Sequence, residues 1–227
     1  LIYLDNAAST AVHPEVVKEM LPYFDVQYGN PSSIHQFGRK AKNAIQKARK
    51  QVAALVGAEP NEILFTSGGT ESNNTILDGV LKSSGEPDPE HIITSSIEHE
   101  AILQPCKDFE NVGIKITYLP VDEHGIVNPD YIANSINSHT VLVSIMFANN
   151  EVGTIQPIKE ISEICKKYQI PLHTDAVQAV GKVPINVKDL GVDALSISSH
   201  KINGPKGIGA LFIKKGLTVT PQILGGG

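Results

Sequence analysis

The stretch TVLVSIMFA, residues 140–148, constrains the fold more than any other. Only Thr140 and Ser144 interrupt its apolar side chains. A strand with one wet face alternates polar and apolar residues, so a run like this belongs to a strand covered on both faces. Covering both faces takes two layers of helices, and the rest of the chain supplies them. Short apolar runs recur at EILFT (62–66), HIITS (91–95), IKITYLP (114–120), IPLHT (170–174), DALSIS (193–198) and GALFI (209–213). Between most of them lie stretches whose apolar residues recur every three or four positions. That alternation predicts an α/β fold, a three-layer α/β/α arrangement around a mostly parallel sheet.

The helical stretches carry their own signals. Residues 31–57 place Ile34, Phe37, Ala41, Ile45, Ala48, Val52, Leu55 and Val56 on one face of a long helix. ESNNTILDGVLKS (71–83) is helical, as is EAILQPCKDF (100–109), with a break expected at Pro105. Asn128 caps a short helix with Pro129 in its first turn. IKEISEICKKYQ (158–169) sets Ile161, Ile164, Cys165 and Tyr168 on one stripe. The opening LIYLDNAAST reads as a short strand and a turn, and the closing ILGGG reads as a hinge rather than the end of a domain.

Composition narrows the function classes. A net charge of −5 and a pI of about 5.9 leave no cationic footprint for nucleic acid. No apolar run is long enough to cross a bilayer, and no basic-plus-apolar leader is present, so no membrane partner is expected. Two cysteines, Cys106 and Cys165, do not make a disulfide framework, and a reducing, cytoplasmic setting is expected.

In open α/β sheets, ligands bind beyond the carboxyl ends of the strands. After the 62–66 run come Ser67, Gly68, Gly69, Thr70 and Glu71; after 91–95 come Glu98, His99 and Glu100. After 140–148 come Asn149, Asn150 and Glu151; after 170–174 come Asp175 and then Gln178; after 193–198 come Ser199, His200 and Lys201. Each alone has a plainer reading: Ser67, Thr70 or Asp175 as a helix cap, His99 as a loop histidine, Lys201 as a solvated lysine. Five such groups on one edge of one sheet point instead to a site. Neither the Walker spacing nor the dinucleotide G-x-G-x-x-G occurs.

One cofactor uses this combination. Pyridoxal 5'-phosphate takes a lysine for an imine, an acid beside its ring nitrogen and a cradle for its phosphate. Lys201 is the candidate imine lysine, with Gly204, Gly207 and Gly209 leaving room for a ring. Asp175 is the candidate partner of the ring nitrogen. Gly69 and Thr70, at a helix start, are candidate phosphate contacts together with Ser198 and His200. His99 is the candidate to lie over the ring and relay protons. Cys165 sits on an apolar stripe, and Cys106 has no neighbouring histidine or helix-start amides, so neither reads as a nucleophile.

YLDNAAST, YGNPSSIH, FTSGGTESNN, EHEAI, ANNEVGTIQPI, HTDAVQAVGK and SSHKINGPKGIGAL stand in that order along the chain. They resemble the motifs of the cysteine desulfurases, pyridoxal-phosphate enzymes of the class V aminotransferase-like group, over essentially the whole chain. The resemblance implies the large domain of a fold type I enzyme. It implies removal of sulfur from L-cysteine, giving L-alanine and a protein persulfide for iron–sulfur cluster assembly. It makes Lys201 the Schiff-base lysine, Asp175 the pyridinium partner, and Gln178 and Asn150 donors on the ring-hydroxyl side. It makes His99 the stacking acid–base residue, and Gly69, Thr70, Ser198 and His200 the phosphate contacts. Asn30 falls in a motif near the substrate. A homodimer and a sulfur-acceptor or scaffold protein are the implied partners. An N-terminal segment (1–20) and a cofactor domain (21–227) are the implied divisions. Family members are longer. Their substrate-carboxylate arginine, nucleophilic cysteine and small C-terminal domain lie beyond the matching residues, in a longer product or on a separate chain.

Three rivals share some of these residues. A selenocysteine lyase or a class V aminotransferase would keep the cofactor set. A metal hydrolase built on His99, His173, Asp175 and His200 has suitable ligand types but no ligand pair at helical spacing. A non-enzymatic half of a split protein would only dock or dimerise. A yellow protein that borohydride bleaches separates the cofactor readings from the other two.

Overall fold

A computed structural model describes residues 1–85 and 90–225. Among the described residues seven strands form one sheet: β1 (Ile63–Thr66), β2 (His91–Ser95), β3 (Lys115–Leu119), β4 (Thr140–Ser144), β5 (Leu172–Asp175), β6 (Ala194–Ser198) and β7 (Gly209–Ile213). Their order is β1-β7-β6-β5-β4-β2-β3. The run β3-β2-β4-β5-β6 is parallel, and β7 is antiparallel to both β6 and β1. The mostly parallel sheet expected from the sequence is present. The reversal at β7 follows from chain length, because a short link returns beside the strand it left and only an antiparallel partner allows that.

The helices among the described residues are α1 (Pro14–Met20), α2 (Pro22–Asp25), α3 (Gln36–Val56), α4 (Gly69–Ser84), α5 (Glu100–Asn111), α6 (Pro129–Ser135), α7 (Ile158–Tyr168) and α8 (Val187–Leu190). They divide between two cores. Val56, Ile132, Ile161 and Val187 pack with Ile93, Val143, Leu195 and Phe212. Ile76, Leu77, Ile102 and Cys106 pack with Ile92, Leu142, Ala194 and Leu211. Neighbouring strand residues such as Ile92 and Ile93, or Leu142 and Val143, thus enter opposite cores, as strand geometry requires. That is why the central strands are apolar throughout. The apolar run of β4 extends past the strand: the Ile145 and Phe147 amides still donate to the His173 and Asp175 carbonyls at 3.1 and 2.8 Å.

Four local expectations are corrected. Residues Leu1–Leu4 form no strand and are exposed. The long helix starts at Gln36 rather than 31, because Asn30 builds a turn that accepts the Ser32 amide on Oδ1 (2.9 Å) and the Ser33 amide on its carbonyl (3.0 Å). On that helix Ala41, Ala53 and Val56 are buried, whereas Phe37, Ile45 and Leu55 are exposed, as is Ile34 ahead of it. No break occurs at Pro105: the Ala101 carbonyl, which proline cannot reach with an N–H, accepts Asn74 Nδ2 from α4 at 3.3 Å. Gly226 and Gly227 of the expected hinge lie outside the described residues. Among the described residues no helix is long and apolar enough to cross a membrane.

Gly209 opens β7 at a point where an added Cβ would lie 2.6 Å from the Ile197 carbonyl oxygen and 2.7 Å from Gly68 Cα. Both neighbours are backbone and cannot yield separately. Gly209→Ala should therefore destabilise the protein by about 1–3 kcal/mol. A thermal melt of the full-length protein should show a drop of several degrees, and an unchanged melt would refute the close packing.

Candidate active site

The carboxyl ends of β1, β2, β4, β5 and β6 surround one cavity of about 460 Å³. Gly69, Thr70, His99, Asn150, Asp175, Gln178, Ser198, His200 and Lys201 all line it. Asn30 does not, and neither do Gly204, Gly207 and Gly209, whose expected role of clearing space is corrected. Gly209 serves backbone packing and Gly204 sits against Ser199.

Lys201 ends a single 3₁₀ turn, Ser199–Lys201, directly after β6. Its Nζ donates to the Ala7 carbonyl and, at 3.0 Å, to the Ala8 carbonyl. Burial, and then the Lys182 charge, hold this ammonium below the usual lysine range; Asp5 and Asp175 act the other way. The N-terminal segment is fastened to the same turn. Thr10 donates to the His200 carbonyl from both its amide and its hydroxyl, each at 2.8 Å. His200 Nδ1 lies 3.3 Å from Ser9 Oγ. Gln178 Nε2 also donates to the Ala7 carbonyl, at 2.8 Å. Ala7 and Ala8 escaped the sequence reading because they act through carbonyls that every residue carries.

Asp175 ends β5 and is buried. Its Oδ2 accepts Asn73 Nδ2 at 2.7 Å and its Oδ1 accepts the Val177 amide at 3.0 Å. Burial pushes the carboxyl above the ordinary aspartate range, while these hydrogen bonds and the charges of His99 and Lys201 pull it back. Asn73 is a site residue that sequence reasoning missed. It lies one helical turn beyond Gly69 on α4, a spacing that would have put both on one face. Its Oδ1 is buried without a partner among the described residues.

His99 is the N-cap of α5, and its Nδ1 accepts the Ala101 amide at 3.0 Å. In the neutral ring the proton therefore sits on Nε2. α4 begins at Gly69 behind Gly68, which offers no side-chain cap, so the first amides are left for a ligand. A Cβ on Gly69 would meet Val177 Cγ2 at 2.7 Å, which explains a glycine where the helix start presses on the cavity wall.

The remaining candidates stand apart. Cys106 and Cys165 are fully buried, and burial pushes each thiol up to about 12. His173 has Nδ1 2.8 Å from Ser144 Oγ and Nε2 3.0 Å from Ser196 Oγ, and burial pushes it down to about 3. A neutral ring with both nitrogens engaged cannot join His99, Asp175 and His200 around a metal. Among the described residues no group of three or more suitable side chains could hold one.

These groups fit pyridoxal phosphate. A buried acid whose oxygens meet only neutral donors suits a ring cation. An amine stands in the cavity wall, and an uncapped helix start with nearby hydroxyls suits a phosphate.

Residues 2–227 match the family described as Aminotransferase class-V. The cysteine desulfurase IscS of Methanosarcina thermophila is 56% identical over 225 residues, covering 99% of this chain and 55% of that protein. The cysteine desulfurase IscS of Dictyoglomus turgidum is 54% identical over 228 residues, covering 99% and 57%. The chain thus spans about half the length of the curated relatives it matches. A structure titled SspA in complex with cysteine superposes with a TM-score of 0.97 at 41% identity, covering all of this chain and 66% of that one. A NifS-like protein gives 0.96 at 44%, covering all of this chain and 62% of that one. The chain belongs to the class-V aminotransferase family of pyridoxal-phosphate enzymes.

Proposed function

We propose that the protein is a cysteine desulfurase: L-cysteine and a protein thiol become L-alanine and a protein persulfide. The observation that carries this reading is the placement of Lys201, Asp175 and His99 on the wall of one cavity whose other end is the start of α4. The two IscS relatives are named cysteine desulfurases, and the SspA structure is a complex with cysteine.

When bound, pyridoxal phosphate supplies an electron sink for the substrate's α-carbon. Asp175 provides the negative charge facing the ring nitrogen, and Asn73 orients that carboxylate. His99 carries a proton on Nε2, the nitrogen that the Ala101 amide leaves free. Burial lets Lys201 shed its proton at a lower pH than a solvated lysine, which it needs to act as an amine. Gly69, Thr70, Ser198 and His200 would hold the phosphate, and Asn150 and Gln178 would serve the ring-hydroxyl side. Residues 21–227 form the cofactor domain and residues 1–20 an N-terminal segment of a cytoplasmic homodimer that hands sulfur to an acceptor protein.

Neither thiol of this chain suits the sulfur-accepting step. A thiol at about 12 is almost wholly protonated near neutral pH, and the thiolate is the attacking species. The thiolate must come from outside residues 1–227. The full-length protein, given pyridoxal phosphate, L-cysteine and a reductant, should release alanine and sulfide in equal amounts. Residues 1–227 alone should release neither. Amino-group transfer to a keto acid without sulfide would assign an aminotransferase instead. A stoichiometric persulfide on Cys106, abolished by Cys106→Ser, would overturn the reading of the thiols.

A further inference from the structure

Glu98 and Asp175 are the buried carboxylic side chains among the described residues, and the mechanism above uses only Asp175. Glu98 lies in the turn between β2 and α5, immediately before His99. Its Oε1 accepts two hydrogen bonds, from Ser95 Oγ at 2.6 Å and from the Met146 amide at 2.9 Å. Its Oε2 is buried without a partner among the described residues. Ser95 is the last residue of β2, and Met146 lies beyond β4 in the cavity wall. The same turn is tied again where Asn149 Nδ2 donates to the Ile97 carbonyl at 3.0 Å.

We infer that Glu98 is the positioning residue for His99: its carboxyl clamps the turn before α5 to the end of β4 and so fixes the histidine ring in the cavity wall. The alternative of a core side chain kept only for its volume does not account for two donors aimed at one oxygen.

The clamp works with the carboxyl uncharged. The donors on Oε1 favour the anion, but burial disfavours it more. Burial is the largest cause pushing the group up, to about 8, and the Asp175 charge adds to it. Asp175 on β5 and Cys106 on α5, whose thiol Glu98 helps to push up, interact electrostatically with Glu98, and His99 is its neighbour in the chain. Asp175 has a donor on each oxygen, and His99 and Lys201 favour its charge. Of the two acids, Asp175 therefore takes the negative charge and Glu98 keeps the proton.

The inference rests on the reading of His99 as a proton carrier, but its test needs no turnover. Full-length, cofactor-free protein is labelled at histidine Cε1 and followed by NMR against pH, with the His99 signal assigned by its loss in His99→Gln. The wild-type His99 signal should show an inflection close to pH 8, where Glu98 titrates. Glu98→Gln keeps the acceptor oxygen without the titration, so it should hold the wild-type signal position at pH 7 and lack that inflection. Glu98→Met keeps the length without the acceptor, so it should move the signal at pH 7. In the loaded enzyme, Glu98→Met should lower kcat up to about 100-fold with KM little changed. The inference is overturned if the inflection survives in Glu98→Gln, or if His99 is unmoved in a folded Glu98→Met. Should Glu98→Met fail to fold by circular dichroism, the Glu98→Gln titration decides alone. If the NMR results hold while no sulfide is ever released, the desulfurase reading fails and the positioning role stands.

Discussion

Lys201→Ala in the full-length protein should abolish turnover, with a loss of at least about 10²–10⁴-fold. The lysine stands directly after β6, its amine in the wall of the cavity, and burial biases it toward the neutral form that attacks a carbonyl. Lys201→Arg should be equally inactive, although it keeps the charge, because a guanidinium is never deprotonated in a protein. The fold should survive both changes. Among the described residues Nζ donates to the Ala7 and Ala8 carbonyls, in an exposed segment that water can solvate. Borohydride reduction of the yellow wild-type protein, followed by digestion, should place the pyridoxyl label on the peptide that contains Lys201. A label on Lys182, which is close enough to depress the Lys201 amine, or on Lys206 would end the assignment.

Asp175→Asn should lower turnover by about 10²–10³-fold, the usual effect of removing a preorganised charge from a buried site. The change is tolerated sterically. The amide oxygen still accepts the Val177 amide, and Asn73 can turn its partnerless Oδ1 toward the new N–H donor. Stability should move the opposite way in the cofactor-free protein. Burial raises the Asp175 carboxyl above its ordinary value of 3.8, so the unfolded chain ionises before the folded one does. Asp175 therefore weakens the fold progressively as pH rises past about 4, and below that value the effect is absent. Cofactor-free Asp175→Asn should melt higher than wild type at pH 7 and close to wild type near pH 4. Near-normal turnover would exclude the ring-nitrogen role, and a lower melt at pH 7 would show that the donors outweigh burial.

Much of this site could be read from the linear sequence, for a geometric reason. In a parallel sheet every strand ends at the same edge, so the residues after EILFT, HIITS, the β4 run, IPLHT and DALSIS had to meet there. The nine cofactor candidates, picked from those strand ends and from the family resemblance, all line one cavity, whereas Ser67, Glu100 and Glu151 from the same strand ends do not. Apolar runs on the central strands likewise required helices on both faces, because neighbouring residues such as Leu142 and Val143 point into different cores.

What only the tertiary structure decided were contacts that leave no mark on local pattern. The Lys201 amine is met by main-chain carbonyls 193 and 194 residues earlier, and a carbonyl has no residue type to recognise. Asn73 reaches Asp175 across 102 positions and looks in sequence like any polar residue on a helix. Pro105 continues its helix because a side chain from α4 takes the carbonyl that proline leaves over. Glu98 is one polar strand-end residue among many until the fold closes Met146 over it, and His173 is open to the rival metal reading until Ser144 and Ser196 engage both ring nitrogens. Periodicity records which face of an element is apolar; the partner of a buried polar atom is set by which elements the sheet order brings together, and that order is β1-β7-β6-β5-β4-β2-β3 rather than the order of the chain.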